Sequence, residues 1–125
     1  MKLDRNAGAS GPVIAGFSGG GFRIDDGVYA ALLLSPARAD GWDPPPLGAL
    51  DTAALAPLLA LDPAAEFILL GTGARLVRPP AALIAALDTR GIGIEAMDSR
   101  AAARAWGVLR EEGRWIAGAI YPLTA

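Results

Sequence analysis

Three short constellations in this chain carry side chains that could do chemistry. The first is Gly71-Thr72-Gly73, placed directly after the apolar run Phe67-Ile68-Leu69-Leu70. Open α/β sheets bind ligands beyond the carboxyl ends of their strands, so this is the best-placed candidate site. No Gly-Lys-Ser/Thr follows it, and the residues between Gly73 and Pro79 keep its amides away from any helix start, so it is not a phosphate loop. The same residues also suit a plain turn, in which the glycines supply positive φ and Thr72 bonds its own backbone. The second constellation is Arg100, Arg104, Gly107 and Glu111, which recur at helical spacing opposite Trp106 and Leu109. This stripe is either a solvated face or the setting of an anion-binding or docking Arg104. Glycine inside a helix costs about 1 kcal/mol relative to alanine, so Gly107 implies the close approach of a backbone or a partner. The third is the carboxylate pair Glu95 and Asp98 on either side of Met97. Asp98 is better used as a helix N-cap, and its charge argues against a second anion at that helix end. An anion pocket, if the chain has one, would draw on the Thr72 amides, Ser99 and Arg104.

Composition removes most other chemistry. The chain has no cysteine and no histidine, which eliminates disulfides, thiol nucleophiles, zinc sites and histidine-dependent triads. Asp25-Asp26 lacks the further carboxylates of a calcium loop and reads as a turn. No metal, cofactor or catalytic residue is therefore expected. Eleven basic against 13 acidic residues give a net charge of −2, with no basic field for a nucleic-acid backbone. Met1 to Asn6 carries charges of both signs without an apolar stretch behind it, so the reading is a cytoplasmic protein. A single lysine beside ten arginines suggests a GC-rich bacterial source. The longest apolar stretch, Ala53 to Leu61, is broken by Pro57 and is far shorter than the roughly 20 residues that span a bilayer, so no transmembrane segment is expected.

The elements that must position these residues follow from periodicity and punctuation. Residues 1–12 are polar and read as a flexible lead-in, with a single domain over 13–125. Gly16 to Gly21 suits a hairpin turn. Phe22-Arg23-Ile24, the turn at Asp26-Gly27 and the run from Val28 to Leu34 then predict an antiparallel hairpin over about 22–34. Pro36 to Gly48 is a stiff connection anchored by Trp42, and Asp51 or Thr52 can cap a short helix through Ala60. Phe67 to Leu70 has the pattern of a central strand covered on both faces. Pro79 and Pro80 open a helix whose apolar face is Leu83, Ile84 and Leu87 and whose stop is Gly91. Ile92 to Met97 alternates as a strand, Asp98 or Ser99 caps a helix to about Glu112, and Arg114 to Tyr121 closes the set as a strand. The order β-α-β-α-β implies that its first two strands lie parallel through a right-handed crossover. The fold class is thus α/β, a hairpin joined to a β-α-β-α-β unit on a mixed sheet.

The combination Gly71-Thr72-Gly73, Gly91-Ile92-Gly93-Ile94-Glu95-Ala96-Met97-Asp98-Ser99, Arg104 to Leu109 and Glu112-Gly113-Arg114 resembles a known small-domain family. Gly20 to Ile24 and Tyr29 to Pro36 match its N-terminal hairpin, and the resemblance covers about residues 13–123. This family includes mitochondrial complex I assembly factor 3 and the adipogenesis-associated domain protein, with many uncharacterised bacterial members. The resemblance implies a three-layer β+β/α fold, no established enzymatic activity, and a role as an assembly or interaction protein beside membrane-associated respiratory partners. Typical members carry Arg-Thr-Tyr/Phe-Asn where this chain has Arg104-Ala105-Trp106-Gly107, and threonine in place of Ser99. On this reading the chain is an interaction module with its surface near Gly71, Thr72, Gly73 and Arg104. The alternative is a small-molecule anion binder or an unrecognised enzyme using the same residues with Ser99, and a third is a homo-oligomer in contact through Trp106, Gly107 and Trp115.

Overall fold

Gly19 and Gly20 have φ of 57° and 82°, the left-handed conformations that a tight turn between strands demands and that glycine adopts freely. They join β1 (Gly16–Ser18) to β2 (Gly21–Ile24), and the Asp25-Asp26 turn joins β2 to β3 (Gly27–Tyr29). The three strands form an antiparallel sheet in the order β1-β2-β3. The computed structural model describes residues 11–125, so the lead-in expected over 1–12 lies, up to residue 10, outside the described residues. Pro12 is described, and its carbonyl accepts a 3.0 Å hydrogen bond from Trp106 Nε1.

The expected second hairpin strand, Val28 to Leu34, is in fact two strands. The run breaks at Ala30-Ala31, and β4 (Leu32–Leu34) leaves the small sheet to pair with other strands. All three leucines of β4 are buried, and burying both faces of that segment needs layers on either side, which a hairpin alone does not supply. The stiff connection also contains a strand, β5 (Ala39–Gly41), held by antiparallel register with β4 from Leu32↔Gly41 to Leu34↔Ala39. Trp42 anchors this connection as expected, with its ring 5.1 Å from the Tyr121 ring in an edge-on arrangement. The helix expected from Asp51 or Thr52 contracts to α1 (Ala56–Leu59), with Pro57 in its first turn, preceded by a 3₁₀ turn over Leu47–Ala49. Asp51 still accepts from the Ala54 N–H at 3.0 Å.

The second half follows its sequence signals closely. β6 (Phe67–Gly71), α2 (Ala81–Asp88), β7 (Gly93–Met97), α3 (Ser99–Glu111) and β8 (Ala117–Ile120) appear in the order β-α-β-α-β. β6 and β7 are parallel, from Phe67↔Gly93 to Gly71↔Met97. The five-stranded mixed sheet runs β5-β4-β8-β6-β7, with β8 antiparallel to β4 and parallel to β6. Successive strand residues point to opposite faces, and the core divides accordingly. Leu33, Ile68, Leu70 and Ala119 pack with Leu50, Leu55, Leu58, Leu83 and Leu87 under α1 and α2. Leu32, Leu34, Leu69 and Ile120 pack with Phe22, Ile24, Ala102 and Trp106 under α3 and the three-stranded sheet. This is the three-layer β+β/α arrangement. Gly118 lets the layers close, since a β-carbon there would sit 3.3 Å from Leu34 Cδ1 and 3.4 Å from the Trp106 ring.

Candidate functional site

The candidate turn begins where β6 ends, and its shape is set by how closely α3 approaches the sheet. A β-carbon on Gly71 would lie 2.8 Å from Ile120 Cγ2 and 2.9 Å from Ser99 Oγ, so only glycine fits without displacing them. Asp98 caps α3 by accepting from the Ala101 N–H at 2.8 Å. Ser99 is therefore the first helical residue, and its hydroxyl points into the core. Ser99 Oγ accepts from the Gly73 N–H at 2.8 Å and donates to the Tyr121 carbonyl at 2.7 Å, while the Ser99 N–H donates to the Gly73 carbonyl at 2.8 Å. One buried side chain thus ties together the ends of β6 and β8 and the start of α3. Gly73 has φ of 110°, a backbone conformation that side chains disfavour.

Thr72 shapes the loop that follows. Its N–H donates to the Met97 carbonyl at 2.8 Å. Its hydroxyl lies 2.7 Å from the Arg75 carbonyl and 3.2 Å from the Met97 carbonyl, and accepts from the Val77 N–H at 3.1 Å. Gly71, Thr72, Gly73 and Ser99 are therefore brought together, but their polar atoms bond mainly to one another and to neighbouring backbone. Arg104 is not part of this group. It is exposed on α3 and lines a separate cleft of about 390 Å³ with Pro12, Val13, Gly107, Val108 and Glu111. Of the two causes expected for Gly107, close approach of a backbone is not found, because a β-carbon built there meets nothing within 4 Å among the described residues. Trp106 is fully buried within its own chain, which takes it out of any self-contact surface.

Thr72 also lines an open groove of about 670 Å³. The groove is lined by Pro44, Pro45, Pro46 and Leu47, by Ala74, Arg75 and Val77, and by Thr72, Tyr121 and Ala125, whose main-chain oxygen accepts from the Ala74 N–H at 3.1 Å. Tyr121 Oη donates to the Pro45 carbonyl at 2.7 Å, and burial pushes its phenol up to about 12. Sequence reasoning did not reach this groove. The available signals were the Pro44–Pro46 run and the apolar pair Leu76-Val77 between Arg75 and Arg78. Elsewhere on the surface, Arg114 binds Glu66 Oε1 through Nε and Nη2 at 3.0 and 2.7 Å, which holds the Glu66 carboxyl below the usual carboxylate range. Among the described residues no three metal-ligating side chains converge, and no helix is long and apolar enough to cross a membrane.

The fold defines a small mixed α/β protein with an open groove beside its central turn. A solved structure of a Bordetella parapertussis protein has the same fold, with a TM-score of 0.79 at 26% identity over 89% of this chain and 95% of that one. The chain belongs to the family described as proteins of unknown function, DUF498/DUF598, whose model matches residues 14–121. It is 30% identical over 123 residues to the zebrafish (Danio rerio) protein named NADH dehydrogenase [ubiquinone] 1 alpha subcomplex assembly factor 3, covering 98% of this chain and 71% of that protein. It is also 35% identical to an uncharacterised protein of Rhodobacter capsulatus, covering 95% of this chain and 92% of that one.

Proposed function

We propose that this protein is a non-catalytic interaction module in the biogenesis of a bacterial respiratory NADH dehydrogenase. It works in the cytoplasm, peripherally at the inner membrane, with membrane-associated assembly proteins as partners. The observation that carries this reading is the 30% identity to an assembly factor of that enzyme over 123 residues, essentially the whole of this chain. The inward bonding of Thr72 and Ser99 supports a structural rather than a reactive role for the central turn. Docking then falls to exposed surface, with Arg104 beside Val108, which is 57% exposed. Deleting the gene in its source organism lowers NADH oxidation by isolated membranes and leaves partial complexes on native gels. The wild-type gene restores both, and Arg104→Ala restores them less well. Membranes whose NADH dehydrogenase is unchanged by the deletion refute the reading.

A further inference from the structure

The groove beside Thr72 has a size and a donor inventory that specify a ligand class. Its volume of about 670 Å³ lies within the roughly 300–1,000 Å³ of small-molecule sites, which are mainly apolar with a few placed polar groups. Most donors on its walls are engaged, while the backbone N–H groups of Leu47 and Arg75 make no hydrogen bond to any described residue. Pro44, Pro45 and Pro46 have no N–H to offer. Tyr121 Oη donates to the Pro45 carbonyl and Thr72 Oγ1 to the Arg75 carbonyl. The N–H groups of Ala74 and Val77 are held by the Ala125 carbonyl and Thr72 Oγ1. One strong donor is left over. Arg75 is the charged side chain lining the groove, is exposed, and makes no ion pair with any described residue.

A guanidinium fork matches a carboxylate bidentately, and it repels a cation. The proline wall, Leu47 and Val77 offer apolar surface to the remainder of the ligand. We propose that this groove binds an amphipathic monoanion, a carboxylate on an extended apolar body, with Arg75 as its counter-ion. The anion site therefore centres on Arg75, in a groove whose lining includes neither Ser99 nor Arg104. The inference is independent of the assembly reading, which concerns the Arg104 face, so either can fail while the other stands.

Decanoate is the probe, with decanol and decyltrimethylammonium as neutral and cationic controls, the two ions kept below their micelle concentrations and decanol below its solubility limit. Amide chemical shifts of the full chain are followed by NMR titration. Decanoate gives saturable shifts at Ala74, Arg75, Val77 and Tyr121, decanol binds more weakly, and the cation leaves these amides unmoved. Arg75→Gln weakens decanoate binding about tenfold, the loss of one charge-assisted pair at an exposed site. Val77→Glu, which sets a carboxylate in the groove, abolishes it. Both positions are surface ones, and unchanged melting temperatures confirm intact folds. The proposal is overturned if no saturable shifts occur at these amides, if decanol binds as well as decanoate, or if Arg75→Gln binds as tightly as wild type.

Discussion

Ser99→Ala tests the central claim about the Gly71-Thr72-Gly73 turn, namely that it is a structural joint held by one buried hydroxyl. Ser99 is fully buried, and removing Oγ leaves the Gly73 N–H and the Tyr121 carbonyl without their 2.8 and 2.7 Å partners. An unsatisfied buried polar group costs about 1–3 kcal/mol. With two such groups the loss is about 3 kcal/mol. For a chain of this size a kilocalorie moves the melting temperature by about 4 °C, so Ser99→Ala should melt about 12 °C below wild type. Calorimetry or circular dichroism measures this, and amide exchange adds a local readout, because the Gly73 N–H should lose its protection. Gly71→Ala should destabilise by its own route, since its β-carbon presses on Ser99 Oγ and Ile120 Cγ2. The double variant should lose less than the sum of the two, because removing Oγ relieves one of the three close contacts and leaves those to Ile120 Cγ2 and Ser99 Cα. A Ser99→Ala protein that melts within about 2 °C of wild type, with the Gly73 amide still protected, would refute this account.

Two further outcomes follow from single residues. Burial raises the folded-state phenol of Tyr121 to about 12, above the ordinary tyrosine value of about 10, so the stability it confers is complete below pH 10 and is lost as pH rises from there through 12. The loss should approach about 2 kcal/mol, and urea unfolding at pH 8, 10 and 11 should show a steeper decline for wild type than for Tyr121→Phe; parallel declines would contradict it. Gly107→Ala should stabilise the protein by up to about 1 kcal/mol, because a β-carbon there meets nothing within 4 Å and alanine is the better helix former. A melting temperature raised by about 4 °C checks it.

Much of the second half was legible from sequence because its signals are local. Pro80 before α2, Gly91 with φ of 73° after it, and Asp98 before α3 each act within a few residues of themselves. What escaped depends on residues far away in the chain. Val28 to Leu34 contains no breaker, so nothing local divides it; the division comes from Leu32–Leu34 pairing with Gly118, Ala119 and Ile120. Ala39–Gly41 has little strand propensity and is a strand because β4 lies beside it. At the site, residue types indicated that Thr72 and Ser99 belong together, but not that their hydroxyls would turn inward. The expected anion pocket joins Arg104 to Thr72 and Ser99, yet five residues along one helix send the Ser99 and Arg104 side chains to different faces. Arg75 has no periodicity to single it out, and its setting is made by Pro44–Leu47, some thirty residues earlier.

The position of β8 has a consequence for synthesis on the ribosome. This strand lies between β4 and β6 and joins the N-terminal part of the five-stranded sheet to the β-α-β unit. Until Ala117–Ile120 emerges from the exit tunnel, the nascent chain holds two separate sheet fragments, each with an open edge and with leucines that have no layer to cover them. Unpaired strand edges and exposed apolar surface are what chaperones bind and what drives aggregation. Closure of this fold therefore waits on β8, and a chain that lacks Ala117–Ile120 cannot complete its sheet.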